Sequence, residues 1–262
     1  MKVYISVVSH GHSDLINQLS CLTELAKEFY VIVKSNKPGD SFPDLVKCGQ
    51  FRWINDFYHS GFGHNNNIVF SYCQTELGMQ DDDFFIVLNP DVVITTVMLK
   101  CLINEMKRDL INIAAINLYK DIENKIYDNS IRHFPSLKQF IISFLGFGNS
   151  SALDKSRINS PCRVDWAAGS FMAFKCNYYA KLGGFDENYF MYCEDIDICY
   201  RSYRIGQPVT FYPNIIALHL ARHGSRRLFS KHFYWHVSSV IRYLLSKVGL
   251  TKQKSILRDN NP

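Results

Sequence analysis

The sequence contains no apolar run approaching the ~18 residues that a membrane span requires; the longest, residues 140–147, is broken by Ser143 and Gly146. The apolar stretch within MKVYISVVSHGHSD is too short for a secretory leader and reads as a buried strand, so the expectation is a cytosolic chain. No CxxC pair occurs among the eight cysteines, Cys21, Cys48, Cys73, Cys101, Cys162, Cys176, Cys193 and Cys199. The common zinc and dithiol patterns are thereby excluded, and reduced, mostly buried thiols are expected. Acids are scarce in one segment only. Residues 222–262 hold nine Lys and Arg against Asp259, a balance of +8, whereas residues 1–221 hold 20 cations against 23 acids, a balance of −3. The overall +5 is therefore local. With the bulk of the chain acidic and no nucleic-acid module recognisable, nucleic acid is not an expected partner.

What is present suits an α/β domain. With 47% hydrophobic and 14% aromatic residues, the chain can bury one sizeable core, followed by a basic tail. Residues 3–8 read as a strand ending in Ser9, His10, Gly11 and His12. Asp14 then caps a helix to about Lys27, and residues 29–34 form the next strand, closed by Ser35, Asn36, Lys37, Pro38 and Gly39. Strand, helix, strand at this spacing predicts a right-handed parallel unit. Ligands gather at the carboxyl ends of such strands, which puts Ser9, His10, Ser35 and Asn36 on the functional rim.

A short strand at 52–54 leads to HSGFGHNNN, residues 59–67, ahead of a helix over 68–77. Gly61 and Gly63 permit close backbone approach and the helix start offers N–H groups to an anion, although such loops are also ordinary turn chemistry. Asp81, Asp82 and Asp83 read as a solvated loop before the strand 84–88. At the other end of that strand come Asn89, Pro90 and Asp91, where proline stops the ladder and Asp91 projects from the rim. A carboxylate there suits a hard divalent cation bridging two phosphates; the plainer role is a cap for the helix at 95–108. Residues 112–118 read as a strand, 119–163 as a polar, irregular insertion, and 164–174 as a buried strand that sets Asp165, Trp166 and Gly169 at a cleft.

The stretch GGFDENYFMYCEDIDICYR, residues 183–201, carries Glu194, Asp195 and Asp197 into a helix start, where acids complement the macrodipole. Asp197 and Arg201 are four apart and predict a pair on one face. One cap needs one acid, and the extra carboxylates follow an apolar wall of Tyr189, Phe190, Met191 and Tyr192. A carboxylate against such a wall has a raised pKa, as a general base for a hydroxyl requires. Strand-like residues 215–218 end in His219, with His223 four further on; a histidine placed there in a chain offering Asp91 is a candidate metal ligand. From Phe229 the positions Phe233, Val237, Val240, Ile241, Leu244 and Leu245 follow helical spacing among basic residues, Arg222, Arg226 and Arg227 lying just upstream. Such a helix packs on the domain, or meets an anionic leaflet or a lipid diphosphate.

Taken in order, VVSHGH, GFGHNNN, FIVLNPD, DWAAGSFM, GGFDENYFMYCEDIDICYR and HLARH resemble the GT-A glycosyltransferases of family two, most closely the bacterial rhamnosyltransferases of O-antigen and related cell-surface polysaccharide assembly. The resemblance spans about residues 3–245. It implies a Rossmann-like, mostly parallel sheet with flanking helices over 1–221, divided at about residue 110 into a nucleotide-sugar-binding half and an acceptor half, then a basic amphipathic segment over 222–262. It implies transfer of L-rhamnose from dTDP-L-rhamnose, with inversion, to a sugar on a polyprenyl diphosphate. The cofactor implied is Mg2+ or Mn2+, and the place implied is peripheral, on the inner face of the cell membrane. Asp195 matches the catalytic base and Glu194 its acidic partner. Asp91, in Asn89-Pro90-Asp91, matches the last acid of a metal-binding DxD whose first acid is absent. His219 matches a histidine that assists the metal or diphosphate, and Asn67 the asparagine of the donor loop. Ser35 replaces the usual nucleotide-touching aspartate while Asn36 is kept, and Trp166 is core or a sugar-stacking surface. The same scaffold with UDP-galactose or UDP-N-acetylglucosamine, or a non-catalytic sugar-nucleotide or glycan-binding module, are the alternatives.

Overall fold

The computed structural model describes residues 1–144, 151–221 and 231–259. The chain begins with β1 (Val3–Ser9), α1 (Ser13–Leu19), α2 (Cys21–Leu25) and β2 (Tyr30–Ser35). The single helix expected from Asp14 is two, because Ser20 takes a left-handed φ of 54° between them; no side chain caps the first, so Asp14 lends only its charge. Next come β3 (Phe51–Ile54), α3 (Phe62–Glu76), β4 (Phe84–Leu88), β5 (Val92–Val93) and α4 (Thr96–Arg108). Thr95, not Asp91, caps α4, its Oγ1 accepting from the Met98 N–H at 3.2 Å. The insertion left unassigned by the sequence pattern holds β6 (Ile113–Asp121), whose extension reaches into it, then β7 (Ile126–Tyr127), β8 (Ile131–Arg132), α5 (Leu137–Phe144) and β9 (Cys162–Val164). The chain closes with β10 (Trp166–Ala167), β11 (Phe171–Lys175), α6 (Cys176–Leu182), α7 (Glu194–Arg204), β12 (Val209–His219), α8 (Lys231–Lys247) and α9 (Ile256–Asp259).

The main sheet runs β3-β2-β1-β4-β11-β6-β12-β5, with β7 on β6 and β9 on β12, while β8 and β10 pair separately. The first four strands are parallel; β11 is antiparallel to β4 and β6, and β12 is parallel to β6. The sheet is thus parallel in its first half and mixed beyond. One consequence positions the site. The carboxyl ends of β1, β2, β4, β6 and β12 share a rim, and because β11 is reversed, its amino end at Gly169 and Ser170 lies there too.

Each central strand is covered on both faces, which explains its uninterrupted apolar run. Side chains alternate between two cores with the period of two expected of a strand. Tyr4, Phe85, Val87, Met172 and Phe174 face the layer of α3, α6, α7 and α8, whereas Ile5, Val7, Phe84, Ile86 and Ala173 face α1, α2 and α4. Asp83 departs from the solvated loop expected of it. It is buried and accepts from the Lys2 N–H at 2.6 Å and the Gln80 N–H at 2.9 Å, tying the start of β4 to that of β1.

The basic C-terminal segment is part of the domain. Val240 and Tyr243 of α8 are buried, Arg242 pairs with Asp186 at 2.6 Å, and Ser239 donates to the Met191 carbonyl at 2.9 Å. Beyond α8, the Lys254 and Ile256 N–H groups donate to Asp186 and Glu187, and Leu257 enters the core. Arg222, His223, Arg226, Arg227 and Phe229 lie outside the described residues. Among the described residues no helix is long and apolar enough to cross a membrane.

Candidate active site

The two acidic corners, about a hundred residues apart in the chain, line one cleft. A cavity of about 760 Å³ is walled by Asn89 and His219 at one end and by Glu194, Asp195 and Trp166 at the other. Asp91 adjoins the first end through His219, whose Nε2 lies 3.5 Å from Asp91 Oδ1. The local chain explains the placement: Pro90 ends β4, the Leu220 N–H donates to the Asp91 carbonyl at 3.1 Å, and β12 delivers His219 as its last residue.

At the opposite wall α7 begins after Tyr192 and Cys193, both held at left-handed φ (73° and 63°), a turn that drives Glu194 and Asp195 inward. Asp195 Oδ2 accepts from the Gly169 N–H at 3.0 Å and Oδ1 from the Ile196 N–H at 2.8 Å. Burial raises the Asp195 pKa, and these two donors together with the charge of Arg132 counter the rise. Glu194 has only its own backbone N–H to set against burial. Its buried Oε2 has no hydrogen-bond partner, and burial with the charge of Asp195 pushes its pKa up to about 8. Two aligned N–H donors favour the anion on Asp195, while the orphaned, buried Glu194 favours the proton, so Asp195 is the member of the pair able to accept one. Asp197 takes a separate part: it pairs with Arg201 at 2.8 Å, the expected i,i+4 contact, and Arg201 also caps the Leu182 and Gly184 carbonyls.

The remaining expected residues divide. Ser9 and Ser35 end β1 and β2 on the rim, but their hydroxyls serve the protein. Ser9 Oγ accepts from the His12 N–H, and Ser35 donates to Asp40 at 2.6 Å and accepts from Trp53 Nε1 at 2.9 Å. Asn36 braces Ser60 through both amide atoms at 2.9 Å, and exposed His10 lies 3.4 Å from its Nδ2. The glycine-rich stretch is helix rather than loop. Gly61 is the N-cap of α3, Gly63 its second residue, and the close approach they permit is to protein: a Cβ on Gly61 would lie 2.6 Å from the Phe190 carbonyl and one on Gly63 2.7 Å from Phe185 Cβ. The Phe62 N–H is already taken by the Phe190 carbonyl at 3.1 Å. Asn67 is likewise corrected from donor contact to clamp. It is fully buried, donates to the Phe185 carbonyl and Glu187, and accepts from Tyr179 and the Phe185 N–H. Trp166 is both core and wall: it is buried, donates to the His133 carbonyl at 2.9 Å, and carries the Arg132 guanidinium 5.4 Å above its ring.

Three charged cleft residues escaped sequence reasoning: Lys120, Asp128 and Arg132, all in the insertion. Lys120 lies at the end of β6, and the strands that place the other two, β7 and β8, are two residues long and carry no alternation to read. Asp128 Oδ2 lies 3.3 Å from His219 Nδ1, so the imidazole has a carboxylate on each side. Burial alone lowers the His219 pKa, but Asp128 and Asp91 reverse that and raise it to about 9.

No family model matches the chain. It is 38% identical over 249 residues to rhamnosyltransferase WbbL of Escherichia coli (strain K12), covering 94% of this chain and 93% of that one. It is 29% identical over 173 residues to the N-acetylglucosaminyl-diphospho-decaprenol L-rhamnosyltransferase of Mycobacterium tuberculosis, covering 63% of this chain and 56% of that protein. Among solved structures, GalNAc-T7 with UDP, GalNAc and Mn2+ is similar at a TM-score of 0.63 and 12% identity, over 93% of this chain and 47% of that one, a likeness of fold alone. The match to a rhamnosyltransferase along nearly the whole chain, with a fold like that of GalNAc-T7, establishes that the protein belongs to the GT-A glycosyltransferases of family two, together with bacterial rhamnosyltransferases.

Proposed function

We propose that the protein transfers L-rhamnose, with inversion, from dTDP-L-rhamnose to a sugar hydroxyl of a polyprenyl-diphosphate-linked acceptor, as in O-antigen or related polysaccharide assembly. The observation that carries this reading is the single cleft with a cation-suited end at Asp91 and His219 and a proton-accepting end at Asp195. A sugar hydroxyl is a poor nucleophile. Asp195 takes its proton as the oxygen forms a bond to the anomeric carbon, the bond from that carbon to the diphosphate oxygen breaks on the opposite face, and dTDP leaves with the electron pair. The Gly169 and Ile196 N–H groups hold the Asp195 carboxylate in place before the step. Glu194, kept neutral, spares the cleft a second adjacent anion that would repel the donor phosphates.

The donor set fits a divalent ion. Asp91 Oδ1 and His219 Nε2, 3.5 Å apart, are the residues that would hold such a cation. Among the described residues no third His, Cys, Asp or Glu joins them as a cluster. When bound, Mg2+ or Mn2+ neutralises charge on the departing diphosphate.

The acceptor's lipid places the enzyme at the inner face of the cell membrane. Tyr234, Ile241, Leu245, Val248 and Leu250, on or just past α8, leave an apolar stripe in solvent (71, 53, 40, 68 and 72% exposed) on the most basic segment of the chain, as an anionic leaflet requires.

The test is a panel of nucleotide sugars offered with a polyprenyl-diphosphate N-acetylglucosamine acceptor, read by product mass. A deoxyhexose increment from dTDP-rhamnose alone is expected. Transfer from a UDP-hexose instead overturns the donor, and no transfer from any donor leaves only a binding module.

A further inference from the structure

We infer that Asp128 is the positioning residue that fixes the tautomer of His219 and so makes its Nε2 available to the cation, an inference that rests on the transferase reading only for the diphosphate that shares the ion. Three elements converge here. Asp91 comes from the turn after β4, His219 from the end of β12, and Asp128 from the residue following β7. The imidazole lies between the two carboxylates, Nε2 3.5 Å from Asp91 Oδ1 and Nδ1 3.3 Å from Asp128 Oδ2.

A cation bound at Nε2 displaces the second proton that the two carboxylates favour on the free ring; the neutral imidazole then has one N–H and one lone pair, and the partner of the N–H decides which nitrogen is which. With the proton on Nδ1, directed at Asp128, the Nε2 lone pair faces the Asp91 side, where a cation shared with Asp91 must sit. The opposite tautomer would point a hydrogen at that cation. Asp128 does not reach the same ion, because the ring lies between them; its place is behind the ligand, where a carboxylate orients a metal-binding histidine.

The surroundings hold Asp128 to this task. It is buried, and its backbone N–H donates to the Leu118 carbonyl of β6 at 3.0 Å, beside β12. The nearby buried Lys155 directs its ammonium to the Leu118 carbonyl at 2.7 Å and to Ser130 Oγ at 3.5 Å rather than to the Asp128 carboxylate. As it stands, the Nδ1 to Oδ2 approach is within ion-pair range but off the line of a good hydrogen bond, so His219 Nδ1 lacks an aligned partner.

The test uses the full chain with dTDP present. Mn2+ affinity is measured by electron paramagnetic resonance for the wild type, Asp128→Asn and Asp128→Glu, and the His219 tautomer by 15N NMR of the Mg2+–dTDP-loaded protein. Asp128→Asn should weaken Mn2+ about 10- to 100-fold, with Asp128→Glu recovering part of the loss and the loaded wild type showing Nδ1–H. Unchanged Mn2+ affinity in Asp128→Asn, or an Nε2–H tautomer in the loaded wild type, overturns the inference. Should Asp128→Asn fail to fold, the wild-type tautomer decides alone. Full rhamnose transfer in EDTA by a protein that binds no Mn2+ sinks this inference while leaving the transferase reading intact. Lost Mn2+ affinity in Asp128→Asn with no transfer from any donor supports it while the transferase reading falls.

Discussion

Replacing Glu194 with Gln should make the protein more stable, and increasingly so as pH rises. Glu194 is buried, one of its oxygens has no partner, and burial with the adjacent Asp195 charge pushes its pKa up to about 8. The unfolded chain titrates this residue near the ordinary glutamate value of about 4.3. Between those values the folded state holds a proton that the unfolded state has lost, so raising the pH disfavours folding by up to about 1.4 kcal/mol per unit. Below the window both states are protonated and above it both are ionised, so the effect begins near pH 4.5 and is complete near pH 8. Because Asp195 shares the burden, the expected sum is on the order of 2–4 kcal/mol. Gln is isosteric with the neutral acid and cannot ionise, so it escapes this penalty. Urea unfolding of the two proteins at pH 5 and pH 8.5 measures it, other titrating groups cancelling in the difference. A stability gap that is the same at both pH values, or that closes as pH rises, refutes the assignment of the proton to Glu194.

Asp195→Asn should lower kcat by roughly 10²- to 10⁴-fold with donor binding retained, measured by product mass and by calorimetry with dTDP; full turnover removes Asp195 from the role of base. Asp91→Ala should weaken nucleotide binding only when Mn2+ is present, so equal affinities with and without EDTA in the wild type count against the cation site. Gly61→Ala should cost about 1–3 kcal/mol or more, since its Cβ meets the Phe190 carbonyl and Cα at 2.6 and 2.9 Å; an unchanged urea midpoint contradicts that packing. Ile241→Asp with Leu245→Asp should abolish cosedimentation with anionic vesicles while leaving the melting temperature within a few degrees, and undiminished cosedimentation rejects the α8 stripe as the contact.

The sequence pattern revealed β1, β2 and β4 because both faces of each are covered, which writes burial as a continuous apolar run. It revealed the start of α7 because acids at a helix start are a local signal, and the cleft followed from knowing that rim residues of such sheets converge. It misread residues 61–67, where glycine and asparagine propose a loop and tertiary bonds impose a helix. Asn65 donates to the Ser60 and Gly61 carbonyls, Asn66 donates to the Phe62 carbonyl and accepts from Ser6, and Asn67 clamps the 184–187 turn. Ser6, Phe185 and Glu187 among those partners lie 60 to 120 residues away and leave no local signal. VDWAAGSFMAF was read as one strand for a related reason. Its break at Ala168–Ser170, which frees the Gly169 N–H for Asp195, is set by a residue 26 positions away. The insertion resisted reading because two-residue strands lack any period, and with it Asp128 and Arg132 stayed hidden.

Helix α8 links the proposed membrane contact to the chemistry. The inward side of α8 meets the loop that precedes Glu194: Trp235 stacks on Phe190 at 4.5 Å, His232 lies 3.2 Å from the Tyr192 hydroxyl, His236 packs against Tyr192 at 5.1 Å, and His236 itself lines the cavity. The left-handed turn at Tyr192 and Cys193 that aims Glu194 and Asp195 is thus propped by α8. Removing everything after residue 220 would take away this prop, the Arg242–Asp186 pair and Leu257 of the core, and loss of vesicle binding by such a truncation would report unfolding as readily as lost contact. Point substitutions on the outward stripe separate the two, because Ile241 and Leu245 project away from the residues that support the turn. If the proposed leaflet contact holds, a helix that meets lipid with one side and props the Glu194–Asp195 turn with the other would bring the sugar of a lipid-linked acceptor to the mouth of the cleft.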